Sequence, residues 1–162
     1  MGYTTEFEGS FQLDRELDDD TYNLLTGLAT TRRMKRSEYT LREAYPDKDF
    51  GIEGEFYCED TANFGQDDRL GVSNYNEPPC TQPSLWLQWT PSSDRKEIGW
   101  DGNEKFYGYV EWLKYIINKI LKPRGYKLNG EVEWYGEERT DIGIIQVNDN
   151  VVTIKEGKVT FD

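Results

Sequence analysis

Four times along this chain apolar and polar residues alternate with a period of two, the mark of a strand with one buried face. Residues 3–13 set Phe7, Gly9, Phe11 and Leu13 against Glu6, Glu8, Ser10 and Gln12. Residues 51–58 set Ile52, Gly54, Phe56 and Cys58 against Glu53, Glu55 and Tyr57. Residues 85–90 set Leu85, Leu87 and Trp89 against Trp86 and Gln88. Residues 126–135 set Leu128, Gly130, Val132 and Trp134 against Glu131, Glu133 and Tyr135. A hairpin is predicted after Gly136, from 142–147 to 151–155, because Asn148-Asp149-Asn150 suits a turn with positive φ.

Two stretches have helical spacing instead. Asp18-Asp19-Asp20-Thr21 reads as a helix N-terminus, where carboxylates cap amides and meet the positive end of the dipole. Tyr22, Leu25, Leu28 and Ala29 then share a face, and the helix is expected to end near Arg32-Arg33-Met34-Lys35-Arg36. The basic run suits a helix C-terminus together with pairing to local acids, or else a contact with phosphate or an acidic partner. Phe106, Tyr109, Val110, Leu113, Ile116, Ile117, Ile120 and Leu121 predict an amphipathic helix of about five turns. Asp101 is expected to cap it, and Pro123 and Gly125 to end it. The predicted order is β-α-β-β-α-β with an appended C-terminal hairpin. That order reads as one α+β domain over 1–162, a ferredoxin-like two-layer sandwich. Residues 59–83 lack a period and form a long loop.

The strand pattern makes a functional prediction. If the apolar sets face the helices, then Glu6, Glu8, Glu53, Glu55, Glu131 and Glu133 share the uncovered face with Tyr57, Trp86, Gln88 and Tyr135. Like charges opposite one another across strands are destabilising. A plain solvent face guarded against aggregation would account for them. So would a docking face for a cationic partner. A carboxylate metal or acid–base site is the third reading.

Charge and composition narrow these readings. The chain has 162 residues with 31 acids against 19 Lys and Arg, a net charge of −12, and no histidine. Absence of histidine removes Ser–His and Cys–His couples and His-based general bases. The negative charge disfavours direct binding to nucleic acid or anionic membranes. No apolar run is long enough for a membrane helix, and Met1–Glu6 lacks the features of a signal peptide. Cys58 and Cys80 lack metal-site spacing, and free thiols, a disulfide and a reactive thiol all remain open. No cofactor motif is present.

Several segments carry a resemblance. Phe7-Glu8-Gly9-Ser10-Phe11, Thr31-Arg32-Arg33-Met34, Gln82-Pro83-Ser84-Leu85-Trp86-Leu87-Gln88-Trp89, Trp100-Asp101-Gly102-Asn103-Glu104-Lys105-Phe106-Tyr107 and Leu128-Asn129-Gly130-Glu131-Val132-Glu133-Trp134 are similar to a family of small acidic bacterial and phage proteins. The likeness extends over nearly the whole chain. Where that family's pattern has Gly and Cys this chain has Ser84 and Leu87, so no role rests on a cysteine at Leu87. The resemblance implies a cytoplasmic, sometimes phage-borne protein and brings no functional residues with it. The expectation is a non-enzymatic acidic protein that binds a basic protein surface, in concrete form a phage-borne inhibitor of a nucleic-acid-handling host defence protein. The alternative is a small carboxylate-based enzyme or ligand binder with its site between the 59–83 loop and residues 100–107.

Overall fold

The computed structural model describes residues 2–58 and 69–159. The chain divides into two compact units. One comprises the chain up to Tyr22 and from Gln88 onward; the other is Asn23–Leu87.

The first unit is built on an antiparallel sheet of six strands: β1 (Thr5–Leu13), β4 (Trp89–Pro91), β5 (Glu97–Trp100), β6 (Leu128–Gly136), β7 (Ile142–Asn148) and β8 (Val151–Glu156). Their spatial order is β4-β5-β1-β6-β7-β8. The long pair at its centre joins β1 to β6, with Phe7 opposite Trp134 and Phe11 opposite Gly130. Between β5 and β6 runs α3 (Tyr109–Ile116), continued by a π-helical turn over Ile117–Leu121. The inner face of the sheet is aromatic. Phe7 lies edge-on to Trp89, Trp100, Phe106 and Tyr109 at centroid separations of 5.0–5.9 Å. Such edge-to-face pairs contribute roughly 0.5–1.5 kcal/mol each beyond their area. Trp89 also ties the sheet to α3, its Nε1 donating to the Tyr109 carbonyl at 2.8 Å. Gly143 makes room for this core, because a Cβ there would lie 2.2 Å from the Trp134 ring.

Local chemistry accounts for the element ends. The helix α1 (Asp19–Thr30) begins as expected, with the Thr21 amide donating to Asp18 Oδ1 at 2.7 Å. The β7–β8 turn places Asp149 and Asn150 at φ 43° and 72°, the positive values the sequence called for. Asn150 Oδ1 also accepts from the Leu128 amide at 2.8 Å, pinning the hairpin to the start of β6. The long helix begins three residues later than its apolar stripe, because Gly108 precedes it in the left-handed conformation (φ 67°). Asp101 therefore does not cap α3. It closes a turn instead, accepting from the Asn103 amide at 2.9 Å.

The second unit holds little regular structure: most of α1, a two-stranded ladder of β2 (Lys35–Arg36) with β3 (Val72–Asn74), α2 (Glu38–Ala44) and a 3₁₀ turn at Ile52–Gly54. Ser37 caps α2, accepting from the Thr40 amide.

These observations correct the ferredoxin-like expectation. That sandwich needs a four-stranded sheet with the 51–58 segment as one of its strands. Here Gly51 and Gly54 have positive φ, and Glu53 (φ 53°, ψ 29°) is left-handed, so the segment coils into a 3₁₀ turn despite its alternation. The 85–90 strand shrinks to Trp89–Pro91 and pairs in a hairpin with Glu97–Trp100, a strand the sequence pattern did not reveal. The result is a six-stranded antiparallel sheet plus a separate two-stranded one.

Candidate acidic docking face

The candidate face is the outer one of the six-stranded sheet. Burial alternates along β1 and β6, leaving Glu6, Glu8, Glu131, Glu133 and Tyr135 exposed. Register places Glu8 directly opposite Glu133, Glu6 opposite Tyr135, and Ser10 opposite Glu131. On the next strand Ile144 stands opposite Glu133, Ile142 opposite Tyr135 and Gln146 opposite Glu131. Lys155 closes the Glu8–Glu133–Ile144 row at β8. On the other side Glu97 lies opposite Gln12 and joins the same face.

Five of the sequence-derived site residues are thus brought together: Glu6, Glu8, Glu131, Glu133 and Tyr135. The pattern missed Glu97, because a four-residue strand containing Gly99 is too short to show a period. It also missed the apolar flank of Ile142 and Ile144, which alternates with the buried Ile145 and Val147 and is therefore readable once the strand is placed.

The remaining four lie in the second unit and in no strand of this sheet. Glu55 is 2% exposed and structural, with Oε2 accepting from the Ile52 amide at 2.7 Å and Oε1 from Thr81 Oγ1 at 3.1 Å. Glu53 accepts from the Cys80 amide at 2.7 Å, and that bond, aided by Lys35 at 3.6 Å, holds its carboxyl below the usual range. Tyr57 is buried beneath Arg36, whose guanidinium carbon sits 4.1 Å from the ring centroid. Trp86 is half-buried, its carbonyl accepting from Ser84 Oγ.

The basic cluster does not complement the end of α1, but it does pair with local acids through Lys35. The helix ends at Thr30, before the cluster begins, and the cations turn to carbonyls and rings of the second unit. Arg33, 2% exposed, donates to the Tyr57 carbonyl at 2.7 Å and to the Glu55 and Gly54 carbonyls at 2.9 and 3.3 Å. Arg36 donates to the Leu70 carbonyl at 2.7 Å. Arg32 stacks on Tyr75 at 4.1 Å and donates to its carbonyl. Lys35 lies 3.6 Å from both Glu53 and Glu77.

On the acidic face, hydrogen bonds come from neutral donors. Gln146 Nε2 donates to Glu131 Oε1 at 2.9 Å, and Ser10 Oγ to Glu97 Oε1 at 3.1 Å. The Tyr135 hydroxyl donates to Glu133. That bond, with partial desolvation and the charges of Glu133 and Glu8, pushes the Tyr135 phenol up to about 12. Among the described residues, no ion pair engages Glu6, Glu8, Glu97, Glu131 or Glu133. Nor do three or more acidic or thiol groups among the described residues converge as a metal site.

The alternative site falls on residues 59–68, which lie outside the described residues, and on segments of two separate units. A shallow cavity of about 280 Å³ sits elsewhere in the second unit, between α2 and residues 46–51. Both cysteines are free thiols, Cys80 exposed and Cys58 half-buried. No helix among the described residues is long and apolar enough to cross a membrane. No protein family, curated protein or solved structure matched the chain.

Proposed function

We propose that the chain is a non-enzymatic interaction protein whose acidic sheet face docks on a basic surface of a partner protein. One observation carries this reading: Glu8 and Glu133 stand directly across from each other on an open face, and no cation among the described residues pairs with either. Like charges so placed oppose folding, whereas a partner's Lys and Arg would convert the same repulsion into complementary attraction. In its specific form, the partner is a nucleic-acid-handling host defence protein met in the cytoplasm. That form draws on the acid excess and on the resemblance to phage-borne proteins.

The test is capture of partners from a host lysate by the wild-type chain and by the Glu8→Lys/Glu131→Lys variant, at low and high salt. Partners should be retained at low salt, lost at high salt and lost by the variant. Double-stranded DNA should displace a nucleic-acid-handling partner. Equal capture by the variant, or capture indifferent to salt, overturns the reading.

A further inference from the structure

The acidic face is bordered by an apolar one, and the border runs along a strand. On one side Glu6 and Glu8 project from β1, and on the other Ile142 and Ile144 project from β7. Between them β6 supplies Glu131, Glu133 and Tyr135. Tyr135 is 39% exposed despite its size, and Ile142 and Ile144 are only half-buried. The columns on β1 and β7 are two strand spacings apart, roughly 10 Å. An α-helix with its side chains is about 10–12 Å across.

From this match we infer that the element of the partner seated here is a basic amphipathic helix lying along β6. Its Lys and Arg flank faces Glu6, Glu8 and Glu133, and its adjoining apolar flank covers Tyr135, Ile142 and Ile144. The inference rests on the docking reading above and specifies what docks. Charge complementarity selects the sign of the helix. The apolar column on β7 selects amphipathic order over bulk charge, since an extended basic chain or a fully cationic groove has nothing to place on two isoleucines. The geometry repeats what α3 does on the inner face, where one helix covers the aromatic side of the same strands through Phe7–Tyr109 and Tyr109–Trp134 contacts. Cations on successive turns of the docked helix are about 5.4 Å apart, close to the roughly 7 Å between alternate residues of a strand.

The experiment uses two synthetic peptides of identical composition. In one, Lys and Arg occupy one helical flank and Leu the adjoining flank. In the other, the order is scrambled so that neither flank forms. Binding to the full chain is measured by fluorescence anisotropy, and peptide helicity by circular dichroism. The ordered peptide should bind at least about tenfold more tightly than the scramble and gain helicity on binding. Replacing its Leu residues with Ser should erase that preference without touching the protein, and Ile144→Thr should do the same from the protein side. Equal binding of the two peptides, with loss of both in Glu8→Lys/Glu131→Lys, overturns the helix and leaves the acidic docking face standing. Binding of both that survives this double reversal overturns the docking face as well.

Discussion

Reversing one charge on the acidic face should make the protein more stable and less able to bind. Glu8 is the choice, because it opposes Glu133 directly and has Glu6 two residues away along β1. Directly opposed residues in an antiparallel pair have Cβ atoms about 4.5–5.5 Å apart. Two carboxylates at about 6 Å in a water-like dielectric repel by roughly 0.7 kcal/mol. Physiological salt, with a Debye length of about 8 Å, cuts this by about half. Glu8→Lys turns that repulsion into attraction of similar size, so the expected gain is about 0.5–1 kcal/mol. For a chain of this size that corresponds to roughly 1–4 °C in Tm. Glu8→Gln removes repulsion without adding attraction and should show about half the gain. Melting is followed by circular dichroism at about 0.01 M and about 1 M salt, where the Debye length falls from roughly 30 Å to 3 Å. The gain should be largest at low salt and close to absent at high salt. A variant that melts below wild type at low salt, or keeps its gain at high salt, refutes the electrostatic reasoning. A variant that is more stable and still binds basic partners like wild type refutes the functional one.

Three further outcomes are expected. Arg33→Met should cost about 1–3 kcal/mol, because it removes the guanidinium from the Tyr57 carbonyl and one of two donors from the Glu55 and Gly54 carbonyls, which also accept from Gln82 Nε2 and the Tyr57 amide; hydrogen exchange should show lost protection in residues 33–57, and unchanged protection there would contradict the role given to the guanidinium. Gly143→Ala should destabilise by about 1–3 kcal/mol in urea titration, since the new methyl meets both the Trp134 ring and the Lys155 carbonyl; a neutral result would show that Trp134 can move aside. Asp18 is held below its usual pKa chiefly by the Thr21 amide, so its stabilising effect is complete above the unfolded value of about 4 and fades as pH falls through the depressed folded value. The Tm gap between wild type and Asp18→Ala should therefore be full near neutrality and close on acidification, and a gap independent of pH would mean that the carboxylate charge is not what caps α1.

The parts of the fold that were legible in advance share a physical cause. In β1 and β6 the buried face is anchored by large apolar side chains, so Phe7, Phe11, Leu128, Val132 and Trp134 keep the period across Gly9 and Gly130 and carry Glu6, Glu8, Glu131 and Glu133 outward together. The same alternation in residues 51–58 misled, because it was set by a left-handed Glu53 and two glycines with positive φ. Period-two spacing alone cannot separate a strand from such a coil, because one of the four apolar positions is glycine in 51–58 just as in β1 and β6. The arginines escaped detection for a different reason. The carbonyls that satisfy Arg33 come from residues more than twenty positions away, in and just after a 3₁₀ turn, so nothing near the cluster signals that this charge is turned inward. The candidate face was accordingly half-legible: its carboxylate columns could be read, but Glu97 and the isoleucines on β7 could be assigned only from strand register.

The partnership of β1 with β6 also fixes when this protein can fold. β1 ends at Leu13 and its partner begins at Leu128, so the central ladder joins two strands whose synthesis is 115 residues apart. At about 5–20 residues per second, a ribosome needs on the order of 6 s or more to supply that partner. Until β5 is made β1 has no partner strand, and until β6 arrives only its Phe11–Gln12 end can pair, against Ile98 and Glu97. Gly54, Glu55, Tyr57 and Gln82, which meet Arg33, are all made long before. The completed sheet is therefore a later event than the synthesis of the second unit. A nascent chain arrested before residue 128 should expose β1 to proteases and chaperones even when the second unit already resists them.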